Sequence, residues 1–292
     1  MGQQIVNGLF LGSIYALFAL GYTLVFGVLD ILNLAHQAVF MLCAFLALTL
    51  VSLAHLHILL ALPLATVAAG LVGILVERVA FRPLRGRADS NVAGLISSLA
   101  VATIFESIAL GLWGPDVSRF PLGTVPERQL HLGGAVVQEL QLVIIGIAVL
   151  MVLGLTFLLQ RTRLGRQIRA VAESGFAARV LGIDVDRVIA LSFFISSALG
   201  GAAGVLFGLA FNSISPDVGR SVELKGLAVI IVGGMGSMPG AVIAGFGLGL
   251  VETFTVARFG SSYRDAVAFA VLFLVLLVRP RGLLGQAATR VA

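Results

Sequence analysis

Nine apolar runs, separated by short polar breaks, organise this chain. They fall near residues 5–29, 35–53, 58–80, 93–113, 138–160, 187–211, 223–236, 238–257 and 265–279. Most approach the ~20 residues that an α-helix needs to cross a hydrocarbon core about 30 Å thick. The pattern predicts an all-α fold: a polytopic membrane helical bundle with about eight or nine crossings. The seventh and ninth runs are short, and the seventh leads into VGGMGSMPG (residues 232–240), where Gly and Pro interrupt helical hydrogen bonding. It reads as a half-helix or re-entrant segment.

The breaks differ in kind. Asp30, Asn33, His36 and Gln37 form a polar interruption between the first two runs. Such a break either lines a cavity or is a plain turn. The loop over 114–137 carries three prolines, and RQLHL and AVVQ around Gly133-Gly134 suggest a small hairpin, the alternative being a connector. The longest charged break, Arg161 to Arg187, holds six arginines. Within it Ile168, Val171, Ala172, Gly175, Ala178 and Leu181 recur at a spacing of three or four, with Arg166, Arg169, Glu173 and Arg179 mostly elsewhere around the helix. That describes a short amphipathic helix, bent at Ser174-Gly175 and closed by Gly182. Anionic headgroups, the protein's own surface and a soluble partner all remain open as its contact.

Composition supports the membrane reading. The chain is 59% hydrophobic and 11% charged, against about 25% charge in a typical soluble domain. The net charge of +5 would suit nucleic acid, but 13 of the 19 basic residues sit in three clusters, Arg78–Arg87, Arg161–Arg187 and Arg279–Arg290. Clusters of that kind mark cytoplasmic loops. The breaks at 54–57, 114–137, 212–222 and 258–264 then face outward. The single Cys43 excludes an intrachain disulfide and a cysteine metal cluster.

Candidate chemistry is sparse. The one lysine, Lys225, is followed by Gly226, and no G-x-x-x-x-G-K-[ST] loop, H-E-x-x-H helix or G-x-S-x-G elbow exists. An enzyme is excluded on this basis, and any ATP must be hydrolysed by another chain. Glu106 lies mid-run, with Ala102, Thr103, Ala109 and Leu110 at helical spacing and no cation among them. An intramembrane carboxyl is costly and marks either a wet cavity or a proton-coupled site. Glu252, with Arg258 six residues on, is expected to reach the interface. Gly200, Gly204 and Gly208, then Ala241, Gly245 and Gly249, and Gly8 with Gly12, recur every fourth residue. Stacked on one helix face, they let another backbone approach closely, as helix packing in lipid requires.

Several stretches resemble one family. NGLFLGSIYALFALGYTLVFGVLDILNLAH, ERVAFRPLRG, LISSLAVATIFES, AVAESGFAARVLGIDVDRVIALSFFISSALGGAAGVLFG, KGLAVIIVGGMGSMPGAVIAGFGLGLVE and LLVRPRGLLG occur in the order found in permeases of branched-chain amino-acid ABC importers. The chain is most similar to the LivH-type subunit, the shorter of the two permeases. The resemblance implies a single transmembrane permease domain over 1–292, in the bacterial inner membrane, paired with a second homologous permease. It further implies two cytoplasmic ATPase subunits, which would bind ATP and Mg, and a periplasmic substrate-binding protein. No cofactor or metal is implied for this chain. The segment 164–183 becomes the coupling helix seated on the ATPases, with Ala172, Glu173, Ala177, Ala178, Arg179, Gly182 and Ile183 in it. Tyr22, Asn33, His36, Ser97 and Glu106 are the expected substrate-pathway residues. The sequence departs from the family where Gln37-Ala38 replaces Gly-Glu, where Ser174-Gly175 replaces Asn-Pro and where Glu106 replaces an amide. The first and last of these bear on the substrate, since urea, amide and aromatic-acid importers share the architecture.

Overall fold

A computed structural model describes residues 1–85, 90–121, 123–124, 128–132 and 135–285. Arg87 and Arg290, from the first and third basic clusters, and the Gly133-Gly134 turn lie outside the described residues. Eleven α-helices are present among them: α1 Gly2–Leu29, α2 His36–Ser52, α3 Ile58–Val76, α4 Ser90–Trp113, α5 Glu139–Arg161, α6 Arg163–Glu173, α7 Gly175–Val180, α8 Val185–Phe211, α9 Val218–Gly233, α10 Met238–Phe259 and α11 Arg264–Val278. Seven segments are long and apolar enough to cross a membrane: α1, α3 with its extension to Leu84, α4, α5, α8, α10 and Ser261–Val278. The two shorter helices α2 and α9 complete a polytopic bundle whose nine members match the nine apolar runs.

Burial sorts these helices. α1 and α8 are apolar on all sides and are enclosed by the others. α4, α5 and α11 turn most of their apolar surface outward, as helices do when hydrocarbon is the solvent. α1 crosses α10 through glycine on both sides: a Cβ on Gly245 would fall 2.7 Å from the Ala16 Cα, and Gly249 lies against the Gly12 backbone. A third close approach joins Gly204 of α8 to the Phe40 carbonyl of α2. Without a hydrophobic force between helices in lipid, such backbone contact supplies the dispersion that holds them.

Hydrogen bonds define the two ends of the bundle. At one end β1 (Gln129–Leu132) pairs antiparallel with β2 (Ala135–Gln138), so the sequence-predicted hairpin forms. The Val136 N–H donates to Gln3 Oε1 at 2.8 Å, and Ser118 bridges Ile214. At the other end Arg85 pairs with Glu77 and Asp186, and Arg82 also reaches Asp186 at 3.2 Å. The arginine-rich α6 and α7 lie at this second end. Residues Leu283 and Leu284 donate to the Val232 and Gly233 carbonyls, closing the α9–α10 turn from below.

Candidate functional site: a polar centre at membrane depth

The break after α1 does not stay at the bundle end. α2 starts beside α1 well above that helix's last turn: His36 Nε2–H donates to the Phe18 carbonyl at 3.2 Å, and the His36 ring covers Gly21 and Gly200. Gly21 precedes the last residue of α1 by eight positions, about 12 Å at 1.5 Å per residue. The chain over 30–35 therefore folds back into the bundle. Asn33 is buried and accepts from the Ala35 N–H at 3.2 Å, and the Leu34 N–H donates to Ser98 Oγ at 3.1 Å. Asn33, His36 and Gln37 of this break are all buried, whereas Asp30 is exposed.

α9 packs on the start of α2. A Cβ on Gly219 would fall 3.3 Å from Gln37 Oε1, and Gly226 sits against the Phe18 ring. Glu223 is four residues from the first and three from the second, so all three share a face of α9. Phe18 and Tyr22 contact the His36 ring, with centroids at 4.8 and 5.5 Å. Glu223 lies within Coulombic range of Tyr22, Glu106 and Arg220. Four atoms here are buried with no hydrogen-bond partner in the protein: Tyr22 Oη, His36 Nδ1, Gln37 Oε1 and Glu223 Oε1.

The expected pathway residues divide. Tyr22, Asn33, His36 and Glu106 come together around this centre, whereas Ser97 does not, donating instead to the Ala80 carbonyl at 3.0 Å. Its neighbour Ser98, one helical step round, makes the contact with the break. Glu106 is not without a cation. Arg220 of α9 grips both its carboxylate oxygens, the Nε–Oε1 bond being 3.1 Å. The cation was invisible at helical spacing because it comes from a different helix. Gln37 was singled out in the polar break but not among the expected pathway residues, and Arg220 and Glu223 are site residues that sequence reasoning missed. The two charged ones lower the hydropathy where α9 begins, so the seventh run read as starting at its sixth residue.

Glu252 requires a correction too. It is buried, not interfacial: Tyr15 Oη donates to its Oε2 at 2.8 Å, Lys225 Nζ to its Oε1 at 2.9 Å, and Arg264 Nε stands 2.8 Å away. Asp265 adds a second carboxylate 3.1 Å from Lys225. The buried Glu252 carboxylate is thus held by the nearly buried Lys225 and by Arg264, with the largely exposed Asp265 at the edge of the group.

The charged segment bends where its sequence predicts. Thr162 caps α6 through the Gly165 N–H, Ser174 caps α7 through the Ala177 N–H, and Gly182 takes a φ of 79°. Ile168, Val171 and Ala178 are buried against the bundle. Ala172 and Leu181, expected on that same face, are exposed. The bend rotates α7 relative to α6, so the pattern does not carry on to Leu181, while Ala172 lies within α6, about 100° round the helix from the buried Val171. Phe176, Val180 and Leu181 are 81%, 73% and 77% exposed, with Glu173, Ala177, Arg179 and Gly182 also at the surface and Ile183 half-buried. The packing glycines lie elsewhere. Gly208 faces Ile214 and Phe120, and Gly200 abuts the His36 ring.

The described residues form a helical bundle with membrane-length apolar helices, a buried polar centre and an arginine-rich segment that exposes apolar side chains. The chain belongs to the branched-chain amino acid transport system / permease component family, whose profile matches residues 4–276. It is 38% identical to the high-affinity branched-chain amino acid transport system permease protein BraD of Pseudomonas aeruginosa, across 97% of this chain and 95% of that one. It is 37% identical to the corresponding LivH protein of Escherichia coli K12 over the same shares. Its fold is similar to a solved structure of PsaBC from Streptococcus pneumoniae in complex with Fab, with a TM-score of 0.50 at 13% identity, covering 94% of this chain and 91% of the other.

Proposed function

We propose that this chain is the permease subunit of an ATP-binding-cassette importer that moves branched-chain amino acids across the inner membrane. The observation that carries this reading is the full-length similarity to permeases named for that transport. The chain acts as a single permease domain beside a second homologous permease. Two separate ATPase subunits bind and hydrolyse ATP with Mg, and a periplasmic protein delivers substrate to the hairpin end. The arginine-rich end faces the cytoplasm.

Segment 164–183 is the coupling element. Its exposed Phe176, Val180 and Leu181 are too apolar for a free aqueous surface and suit an ATPase groove, and Glu173 and Arg179 flank them. Closure of the ATPases on ATP would move α6 and α7, and with them the start of α8, which Asp184 caps through the Arg187 N–H. Substrate passes the polar centre of Tyr22, Asn33, His36 and Glu106. The alternative of another class, proton-coupled transport, would lean on Glu106, whose carboxylate Arg220 holds.

The test is leucine uptake into vesicles holding the whole complex. Uptake requires ATP and the ATPase subunits, and Glu173→Arg uncouples hydrolysis from uptake. Uptake driven by a pH gradient alone, and lost in Glu106→Gln, would refute the reading.

A further inference from the structure

The polar centre is short of donors. His36 gives its Nε2–H to the Phe18 carbonyl, so in the neutral ring the unpartnered Nδ1 is a lone pair. Gln37 Oε1 and Glu223 Oε1 are acceptors as well, and Tyr22 Oη can serve as one. Four acceptors with no hydrogen-bond partner in the protein thus surround the first turn of α2 and the Gly219–Glu223–Gly226 face of α9. The cations nearby do not serve them. Arg220 hydrogen-bonds Glu106 and reaches Glu223 only through its charge, and Lys225 lies two residues past Glu223, about 200° round the helix, where Glu252 and Asp265 hold it. Buried acceptors without donors are costly, and they are most costly beside an unpaired carboxylate.

A primary ammonium group complements this arrangement. It carries three N–H donors and one positive charge. We infer that the cluster of Tyr22, His36, Gln37 and Glu223 receives the α-ammonium group of the transported amino acid, with Glu223 as its counter-charge. The inference rests on the transport reading above and adds a selectivity to it. The permease itself selects for the ammonium end of the substrate, independently of the binding protein. Glycine at 219 and 226 lets α9 pack against Gln37 and Phe18, which brings Glu223 within Coulombic range of Tyr22.

The experiment uses the assembled complex in nanodiscs, without binding protein, and tritiated leucine as probe. Isoamylamine, which keeps the ammonium, displaces leucine, whereas isocaproate, which keeps the carboxylate, does not. Glu223→Gln weakens leucine binding about 10- to 100-fold, the loss of one charge-assisted hydrogen bond. Glu223→Asp loses less, and Gln37→Leu, which changes no charge, weakens it several-fold. ATPase stimulation by loaded binding protein reports assembly of every variant. Equal displacement by isocaproate, wild-type binding in Glu223→Gln, displacement by sodium ions but not by isoamylamine, or no leucine binding by a complex that transports leucine would each overturn the inference. Failure of the wild-type complex to import leucine with ATP strikes the transport reading instead.

Discussion

Two groups of buried polar side chains sit on opposite sides of α9, and they are built on opposite plans. On one side Lys225, Glu252, Tyr15, Arg264 and Asp265 set each cation against a carboxylate within 2.8–3.3 Å, with Arg264 Nε in ion-pair range of Glu252 but not hydrogen-bonded to it. On the other, Tyr22, His36, Gln37 and Glu223 each keep an unpartnered atom. A closed network at membrane depth fixes helices, here α9 to α1, α10 and α11. An open one has capacity for something that is not part of the chain. The contrast teaches that buried charge alone does not mark a transport site, and that what separates site from scaffold is whether the charges are matched.

The comparison breaks first on the closed side. Lys225→Met takes one of two cations from the buried Glu252 and destabilises the protein by about 3 kcal/mol, the low end for loss of one buried partner, because Arg264 remains beside Glu252 and Asp265 is largely exposed. Thermal unfolding in detergent measures this. Lys225→Met combined with Glu252→Met recovers part of the loss, because the buried carboxylate goes with its cation and the charges left, Arg264 and Asp265, are the more exposed ones. Gly204→Ala comes next. Its Cβ meets the Phe40 carbonyl, pushing α2 and the polar centre from α8 at a cost of about 1–3 kcal/mol, and uptake falls with it. Tyr22→Phe removes a hydroxyl that bonds nothing in the protein, so unfolding shifts by less than about 0.5 kcal/mol while uptake drops several-fold. Smallest is Arg82→Ala, whose half-exposed pair with Asp186 contributes about 0–1 kcal/mol, read by the same melt.

Much of the fold was legible because hydropathy reports helices one at a time. The nine apolar runs foretold the helices within a few residues, and the VGGMGSMPG break became the turn between α9 and α10. The hairpin was legible from two short strands about a glycine pair. The site was legible only in part. Tyr22, Asn33, His36 and Glu106 stood out as polar residues in or beside apolar runs. Their partners did not, because Glu106 meets Arg220 across 114 positions and Tyr15 meets Glu252 across 237. Helical spacing carries no information at that range. Ser97 and Ser98 could not be told apart because adjacent residues differ only by rotation about the helix. The apolar face of α6 ran on into α7 in sequence, but the cap at Ser174 turned it.

The most direct test of the two-sided account of α9 is ATP-driven leucine uptake per assembled complex, set beside thermal stability, for Glu223→Gln and Lys225→Met. The account predicts that Glu223→Gln melts like the wild type and imports at least about tenfold more slowly, whereas Lys225→Met melts early. A Glu223→Gln complex that imports at the wild-type rate, or that unfolds as readily as Lys225→Met, would contradict it.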